Sequence, residues 1–375
     1  MNRAKEILDS CIENVQSPAK AIAAETERTG KRAVGCLLEF CPEELVYAAG
    51  MLPIGIWGAD VELNEAKRYY PAFFCAPIQQ SFELAARGAY DGLLAAVIVP
   101  ILCDALKSAG QNWRIAVKNV PMIPLVYPQN RHIEAGRRFF VEELKSVRAR
   151  LEEICGHTIT DGAISESIAV YNEYRLALQA FAQEAPKHAD LVTATARHSV
   201  FAAGFFRDKR EHTRIVRELT QELSRLPEVK PAHSVALTGI ALDYPALLSA
   251  LEENALTVTA DTLAQESGQI DTLVPDGGTP LERLAAWWTR MRFSSLALDE
   301  KKERVDRMIE LVRSGQAESI ITAMPAFCDP EEYDYPVLHA ALAAAGIPET
   351  VIELNDRRNC EQARSRIQAL AEMLG

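Results

Sequence analysis

The sequence reads as an α/β protein of two doubly wound halves with parallel sheets, joined by a helical linking segment, and three features carry that reading. Short, nearly continuous apolar runs alternate with helical patterns near both ends of the chain, as expected of strands buried on both faces of a parallel sheet. The stretch between them shows helical periodicity only. The length, 375 residues, exceeds the size at which one hydrophobic core stops growing. Two domains follow: residues 1–160, and residues 161–375, which include the helical segment.

In order along the chain, MNRAKEILDSCIENV forms an amphipathic helix at the N-terminus. AVGCLLEF (33–40), PIGIWG (53–58), LLAAVIVP (93–100) and MIPLVYP (122–128) are the first four strands. Phe140, Leu144, Val147, Leu151 and Ile154 then recur at helical spacing, followed by Ile164, Ile168, Tyr171, Tyr174 and Leu178; such stripes are packing surfaces first. After about residue 230 the strand-like runs resume as HSVALTGI, ALTVTAD, SIITAMPAF and ETVIEL, alternating with helices such as EKKERVDRMIELVRSG and CEQARSRIQALAEMLG. Strand and helix alternating in both halves is the pattern of Rossmann- or flavodoxin-like domains.

Composition narrows the function. Hydrophobic residues at 48% and charged residues at 25% are ordinary for a packed globular chain. A net charge of -12 argues against a broad nucleic-acid or anionic-membrane surface, because such binding neutralises many phosphates with Lys and Arg. No apolar stretch is long enough to span a bilayer and the N-terminus lacks a signal-peptide pattern, so a cytoplasmic location is expected. No GxxxxGK[ST] loop occurs, and the glycines of GMLPIGIWG lack the GxGxxG order. The chain is not expected to hydrolyse ATP itself.

Eight cysteines without an export signal read as thiols or metal ligands rather than as a disulfide framework. Cys103 ends an apolar strand, with Asp104 as a helix N-cap and Gly110 closing the helix. Cys328 repeats the arrangement, with Asp329 as N-cap, Pro330 at the first helical position, Glu332 completing a capping box and Pro336 forcing a break. Cys75 also stands just ahead of a helix, with Pro77 in the first turn and Gly88 at the end. All three therefore sit where free N–H groups and the positive dipole end favour a thiolate or an anionic cluster. Cys41, before PEELVYAAG, is the rival; Cys36 falls in a strand, and Cys11, Cys155 and Cys360 belong to helical patterns as packing thiols. The spacing matches no C-x-x-C or local ferredoxin pattern. At this level, a metal site and a set of helix caps beside buried thiols both stand.

The segments CPEELVYAAGMLPIGIWG, YYPAFFCAPIQQSFELA, VIVPILCDALKSAGQNW, LEEICGHTIT, FCDPEEYDYP and EQARSRIQALAEML, in that order, resemble the 2-hydroxyacyl-CoA dehydratase family, and FCDPEEYDYP resembles its smaller, beta subunit. The resemblance covers nearly the whole chain. It implies Cys75, Cys103 and Cys328 as ligands of one [4Fe-4S] cluster, with a flavin carried as an additional candidate cofactor. It also implies a homologous alpha subunit and an ATP-dependent iron–sulfur activator as partners, and an acyl-CoA substrate in the complex. Thr262 and Gly268 stand where Asp and Arg are expected in such subunits, and Pro325 and Ala326 where Met and Lys are usual.

The implied reaction is elimination of water from an (R)-2-hydroxyacyl-CoA to give a 2-enoyl-CoA through a ketyl radical. An iron–sulfur cluster suits such one-electron work. Three protein thiolates leave one iron without a protein ligand, and a beta subunit is expected to relay the electron to its alpha partner. The alternatives are a subunit of an ATP-dependent benzoyl-CoA reductase and a metal-free two-domain binding protein. Asp104, Asp329 and Glu332 read as caps, Glu43 and Glu44 as first-turn acids, His212 as solvated on a charged helix face, and His157 as structural after Gly156.

Overall fold

A computed structural model describes residues 2–58, 60–292, 294–300, 302–355 and 360–375. The N-terminal half runs α1 (Arg3–Gln16), α2 (Pro18–Thr29), β1 (Ala33–Leu37), α3 (Glu43–Ala48), β2 (Leu52–Ile56), α4 (Ala76–Ala86), β3 (Leu94–Ile101), α5 (Asp104–Ala116), β4 (Met122–Val126) and α6 (Glu134–Cys155). Three helices follow: α7 (Asp161–Glu184), α8 (Ala194–Ala203) and α9 (Lys209–Leu223). The remainder runs β5 (His233–Gly239), α10 (Pro245–Glu253), β6 (Leu256–Asp261), α11 (Ser267–Ile270), α12 (Pro280–Arg290), α13 (Glu303–Ser314), β7 (Ser319–Pro325), α14 (Asp329–Ala344), β8 (Glu349–Leu354) and α15 (Glu361–Leu374).

The strands form two four-stranded sheets, ordered β2-β1-β3-β4 and β6-β5-β7-β8, and every pairing is parallel. The chain is thus α/β with two doubly wound sheets. All five residues of β1 and all seven of β7 are buried, which is why the inner strands carry no alternation. In each sheet the winding reverses between two central strands, β1 and β3 in one and β5 and β7 in the other. In open α/β sheets ligands gather at that reversal, outside the carboxyl ends of the strands.

The helical segment joins the halves through buried charge as well as apolar packing. Lys209 on α9 is fully buried and reaches Glu43 at 2.9 Å and the Gly204 carbonyl at 2.6 Å; Arg175 on α7 meets Glu44 at 2.6 Å. Glu43 and Glu44 therefore tie α3 to α7 and α9 as well as suiting their own helix dipole. From the C-terminal half, α12 packs against α6. Its Trp288 lies 5.5 Å from the Phe40 ring and 4.7 Å from the Tyr127 ring. No helix among the described residues is long and apolar enough to cross a membrane.

Several local expectations are corrected. Cys103 and Cys328 take the N-cap positions, leaving Asp104 and Asp329 as first helical residues. Cys103 has the extended backbone an N-cap needs (φ -140, ψ 172). Gly110 lies within α5 and closes nothing; a Cβ there would meet Met122 Cε at 3.1 Å, so glycine serves the helix's approach to β4. Pro336 does not break α14. Glu332, whose carbonyl Pro336 leaves without its helical partner, is solvent-exposed, so water can satisfy that carbonyl. His212 is wholly buried rather than solvated, with Nε2–H donating to the Val200 carbonyl at 2.9 Å.

Candidate metal centre

The three cysteines arrive from separate elements by one local device. β3 ends at Ile101 and Cys103 caps α5; β7 ends at Pro325 and Cys328 caps α14; Cys75 caps α4 in the connection after β2. Because β3 and β7 flank the winding reversals of their sheets, Cys103 and Cys328 occupy corresponding places in the two halves. All three line one cavity of about 840 Å³. Its walls also include Tyr127 and Gln129 after β4 and the segment 294–300, from the connection between α12 and α13.

Left-handed backbone occurs immediately before Cys328 and in the loop that follows β1. Phe327, immediately before Cys328, has φ 60, and Leu38 and Phe40, after β1, have φ 54 and φ 63. Left-handed backbone at non-glycine residues costs about 1–3 kcal/mol each and persists where surrounding structure holds it. Here the hold is visible. Glu332 reaches back to accept from Phe327 N–H at 3.0 Å, rather than from the N-cap itself, and Tyr127 OH donates to the Phe40 carbonyl.

Burial dominates the electrostatics. It pushes the Cys75 thiol up to about 12, with neighbouring Cys103 adding to the shift. Cys103 and Cys328 are also raised, burial first in both, and Cys328 further by Cys75. First-turn N–H groups act in the opposite sense: Ile78 on Cys75, Leu106 and Ala105 on Cys103, and Glu331 on Cys328. The thiols thus need compensation to ionise together, and a multivalent cationic core would supply it. Behind them, Arg304 pairs with Glu331 at 2.9 Å and with Asp334 at 2.7 Å, all at low exposure. Burial, with Glu331 nearby and Arg304 opposing, pushes Glu39 up to about 8.

No three His, Cys, Asp or Glu side chains among the described residues are arranged to hold a single metal ion. A cluster spreads its thiolates over different irons, so a roomy cavity ringed by three thiols suits a cluster better than one ion. Cys41 lies elsewhere. It is buried with Sγ near the carbonyls of Leu37 (3.8 Å) and Ile98 (3.7 Å), and it lines a separate cavity of about 40 Å³ with Glu43 and Lys209. Cys36 is buried within β1, Cys11 within α1, Cys155 ends α6 and Cys360 caps α15. His157 follows the left-handed Gly156 cap of α6 and is exposed. Sequence reasoning missed the wall at 294–300, Tyr127 and the Arg304–Glu331 pair. RFSSLALDEKK carries no motif, and the Arg304–Glu331 pairing exists only in the fold.

The positions that depart from the family resemblance lie outside this cavity's lining. Thr262 hydrogen-bonds Thr238 at 2.8 Å, and a Cβ at Gly268 would meet the Leu263 carbonyl at 2.8 Å, which excludes a larger residue without rearrangement.

Residues 39–374 match the family described as 2-hydroxyglutaryl-CoA dehydratase, D-component. The chain is 40% identical over 377 residues to the (R)-phenyllactyl-CoA dehydratase beta subunit of Clostridium sporogenes, covering 100% of both chains. It is also 40% identical over 379 residues to the lactoyl-CoA dehydratase subunit beta of Anaerotignum propionicum, again covering 100% of both. With the (R)-2-hydroxyglutaryl-CoA dehydratase subunit beta of Acidaminococcus fermentans it shares 38% over 371 residues, 97% of this chain and 98% of the other. Full-length identity at this level, together with a family match over nearly the whole chain, means that the protein belongs to the 2-hydroxyglutaryl-CoA dehydratase D-component family.

Proposed function

We propose that this chain is the beta subunit of a heterodimeric (R)-2-hydroxyacyl-CoA dehydratase, a hydro-lyase that yields a 2-enoyl-CoA, and that Cys75, Cys103 and Cys328 hold a [4Fe-4S] cluster. The observation that carries the reading is the convergence of three helix-capping cysteines, drawn from both halves of the chain, on one cavity. The full-length relatives, named as beta subunits of dehydratases acting on three different 2-hydroxyacyl thioesters, support the reaction class.

When bound, the cluster would supply a one-electron carrier. The residues of this chain have simpler tasks. Cys75, Cys103 and Cys328 bind; the first-turn N–H groups of α4, α5 and α14 lower the cost of sulfur charge; Glu332 holds the Phe327 backbone just before Cys328. Within the complex this chain relays an electron from an ATP-dependent activator to a homologous alpha subunit. Its net charge of -12 is consistent with a coenzyme A site built mainly on that partner.

The test is reconstitution with a candidate alpha subunit and activator under anaerobic conditions, supplying a 2-hydroxyacyl-CoA in one assay and benzoyl-CoA in another. Enoyl-CoA formation that needs all three proteins and ATP, and is abolished by Cys328→Ala, is the expected result. Reduction of the aromatic thioester without dehydration would assign the chain to the reductase chemistry instead.

A further inference from the structure

Glu39 is a buried carboxyl with no use in the fold. It is 3% exposed, and among the described residues no group donates a hydrogen bond to it and no cation pairs with it. Arg304, already engaged by Glu331 and Asp334, acts on it only through space. Its oxygens are not sealed in packed core, unlike the unpartnered Thr259 hydroxyl, and so border open space. The backbone around it is strained and pinned. Leu38 and Phe40, on either side, are both left-handed; Leu38 N–H donates to the Ile56 carbonyl at 2.8 Å, and the Phe40 carbonyl accepts from Tyr127 OH. Strain of this kind, held from both sides of one side chain, is a mark of a functional position.

The strands put Glu39 beside the thiols. It comes two residues after β1, and Cys103 two residues after β3. Those strands are parallel neighbours on either side of the winding reversal, so both residues leave the same edge of the sheet, where ligands gather. Tyr127, which holds the Phe40 carbonyl, is itself part of the cavity wall. Burial, and more weakly Glu39, holds Cys75, Cys103 and Tyr127 up, while Glu331, three residues after Cys328, acts on Glu39 itself. Glu39 thus stands among the elements that carry all three thiols. A carboxylate buried without a donor or a paired cation keeps its proton instead of its charge. The neutral acid has one O–H to donate, and the sulfurs of a cluster are anionic acceptors, whose hydrogen bonds help to set its reduction potential.

We propose that Glu39, as a neutral acid, donates a hydrogen bond to sulfur of the group held by Cys75, Cys103 and Cys328, and so raises its reduction potential. The reduced state carries one more negative charge and gains more from the donor. The inference rests on the cluster reading above and adds a specific neighbour to it. Glu39 is a positioning residue and holds no iron.

The experiment uses the full-length chain, anaerobically purified or reconstituted, as parent, Glu39→Gln, Glu39→Leu and Glu39→Ala. Iron and sulfide are measured first, then the midpoint potential, by dithionite titration at neutral pH followed through the EPR signal of the reduced cluster. Glu39→Gln keeps an N–H donor at the same reach and should track the parent. Glu39→Leu and Glu39→Ala lose the donor, and at the parent's midpoint their reduced-to-oxidised ratio should fall about tenfold, or about 59 mV for one electron. Equal midpoints in all four proteins would overturn the proposal, as would a change confined to the unfolding temperature. A midpoint that rises in Glu39→Gln and Glu39→Leu alike would show an ionised carboxylate and overturn it too. If Glu39→Leu does not fold, Glu39→Ala and Glu39→Gln decide alone. A parent without iron fails at the first measurement, which refutes the cluster reading itself and is distinct from iron-replete variants that all behave alike.

Discussion

His212 is buried on α9, its Nε2–H given to the Val200 carbonyl and its Nδ1 without a partner among the described residues. Burial, helped by the nearby cations Arg207 and Lys209, lowers its pKa to about 3. The unfolded chain, with an ordinary imidazole, then binds more protons than the native state between about pH 3 and pH 6.5, so stability rises with pH across that window and is lost on acidification. At about 1.4 kcal/mol per unit, this residue should make the protein about 2 kcal/mol less stable at pH 5 than at pH 7. Urea unfolding of His212→Gln should show that difference shrink by a similar amount; an unchanged pH dependence would mean that the imidazole does not titrate in this way. The burial was readable in principle. Counting back by helical spacing from the buried Leu223, Leu219 and Val216 lands on His212 and Lys209, but the charged letters of DKREHTR pointed outward. The place of Cys103 and Cys328 between strand and helix was legible for the opposite reason, since an apolar run precedes and a helical pattern follows each, although the cap falls on the cysteine and not on the aspartate that the letters suggested. The cavity wall at 294–300 had no such frame around it.

All eight strands match their strand-like runs; the inner strands β1 and β7 are written almost without polar residues because they are buried throughout, while the edge strands β4 and β8 are only partly buried. Helix limits were less legible: α5 runs on through Gly110 and α14 through Pro336, since packing and solvent decide whether a weak helix former is tolerated. Between elements, one approach that needs glycine is at the end of β5. Gly239 has φ 129, and a Cβ there would lie 2.1 Å from the Ala323 carbonyl of β7. Gly239→Ala must therefore strain its own backbone or push β5 and β7 apart, and it should cost about 2–4 kcal/mol. Thermal unfolding gives the check: a midpoint close to the parent's would show that the β5–β7 pairing absorbs the extra methyl group.

In the molecule as a whole, the helical segment and the two sheets set where the cavity lies. The buried Lys209–Glu43 and Arg175–Glu44 pairs hold α3 against α7 and α9, while α12 returns from the later half to cover Phe40 and Tyr127, close to the loop that follows β1. Two sheets with corresponding winding reversals then bring Cys103 and Cys328 to one cavity, and Cys75 joins them from the connection after β2. Nothing in local sequence encodes that meeting, because cysteines so far apart in the chain become neighbours only through the packing of the halves. The decisive measurement is iron and acid-labile sulfide per chain after anaerobic purification or reconstitution, for the parent and for Cys75→Ala, Cys103→Ala, Cys328→Ala and Cys41→Ala. About four of each in the parent and in Cys41→Ala, with loss in the other three, is the predicted result; a reconstituted parent with little iron, or a cluster that survives all three substitutions, would contradict it.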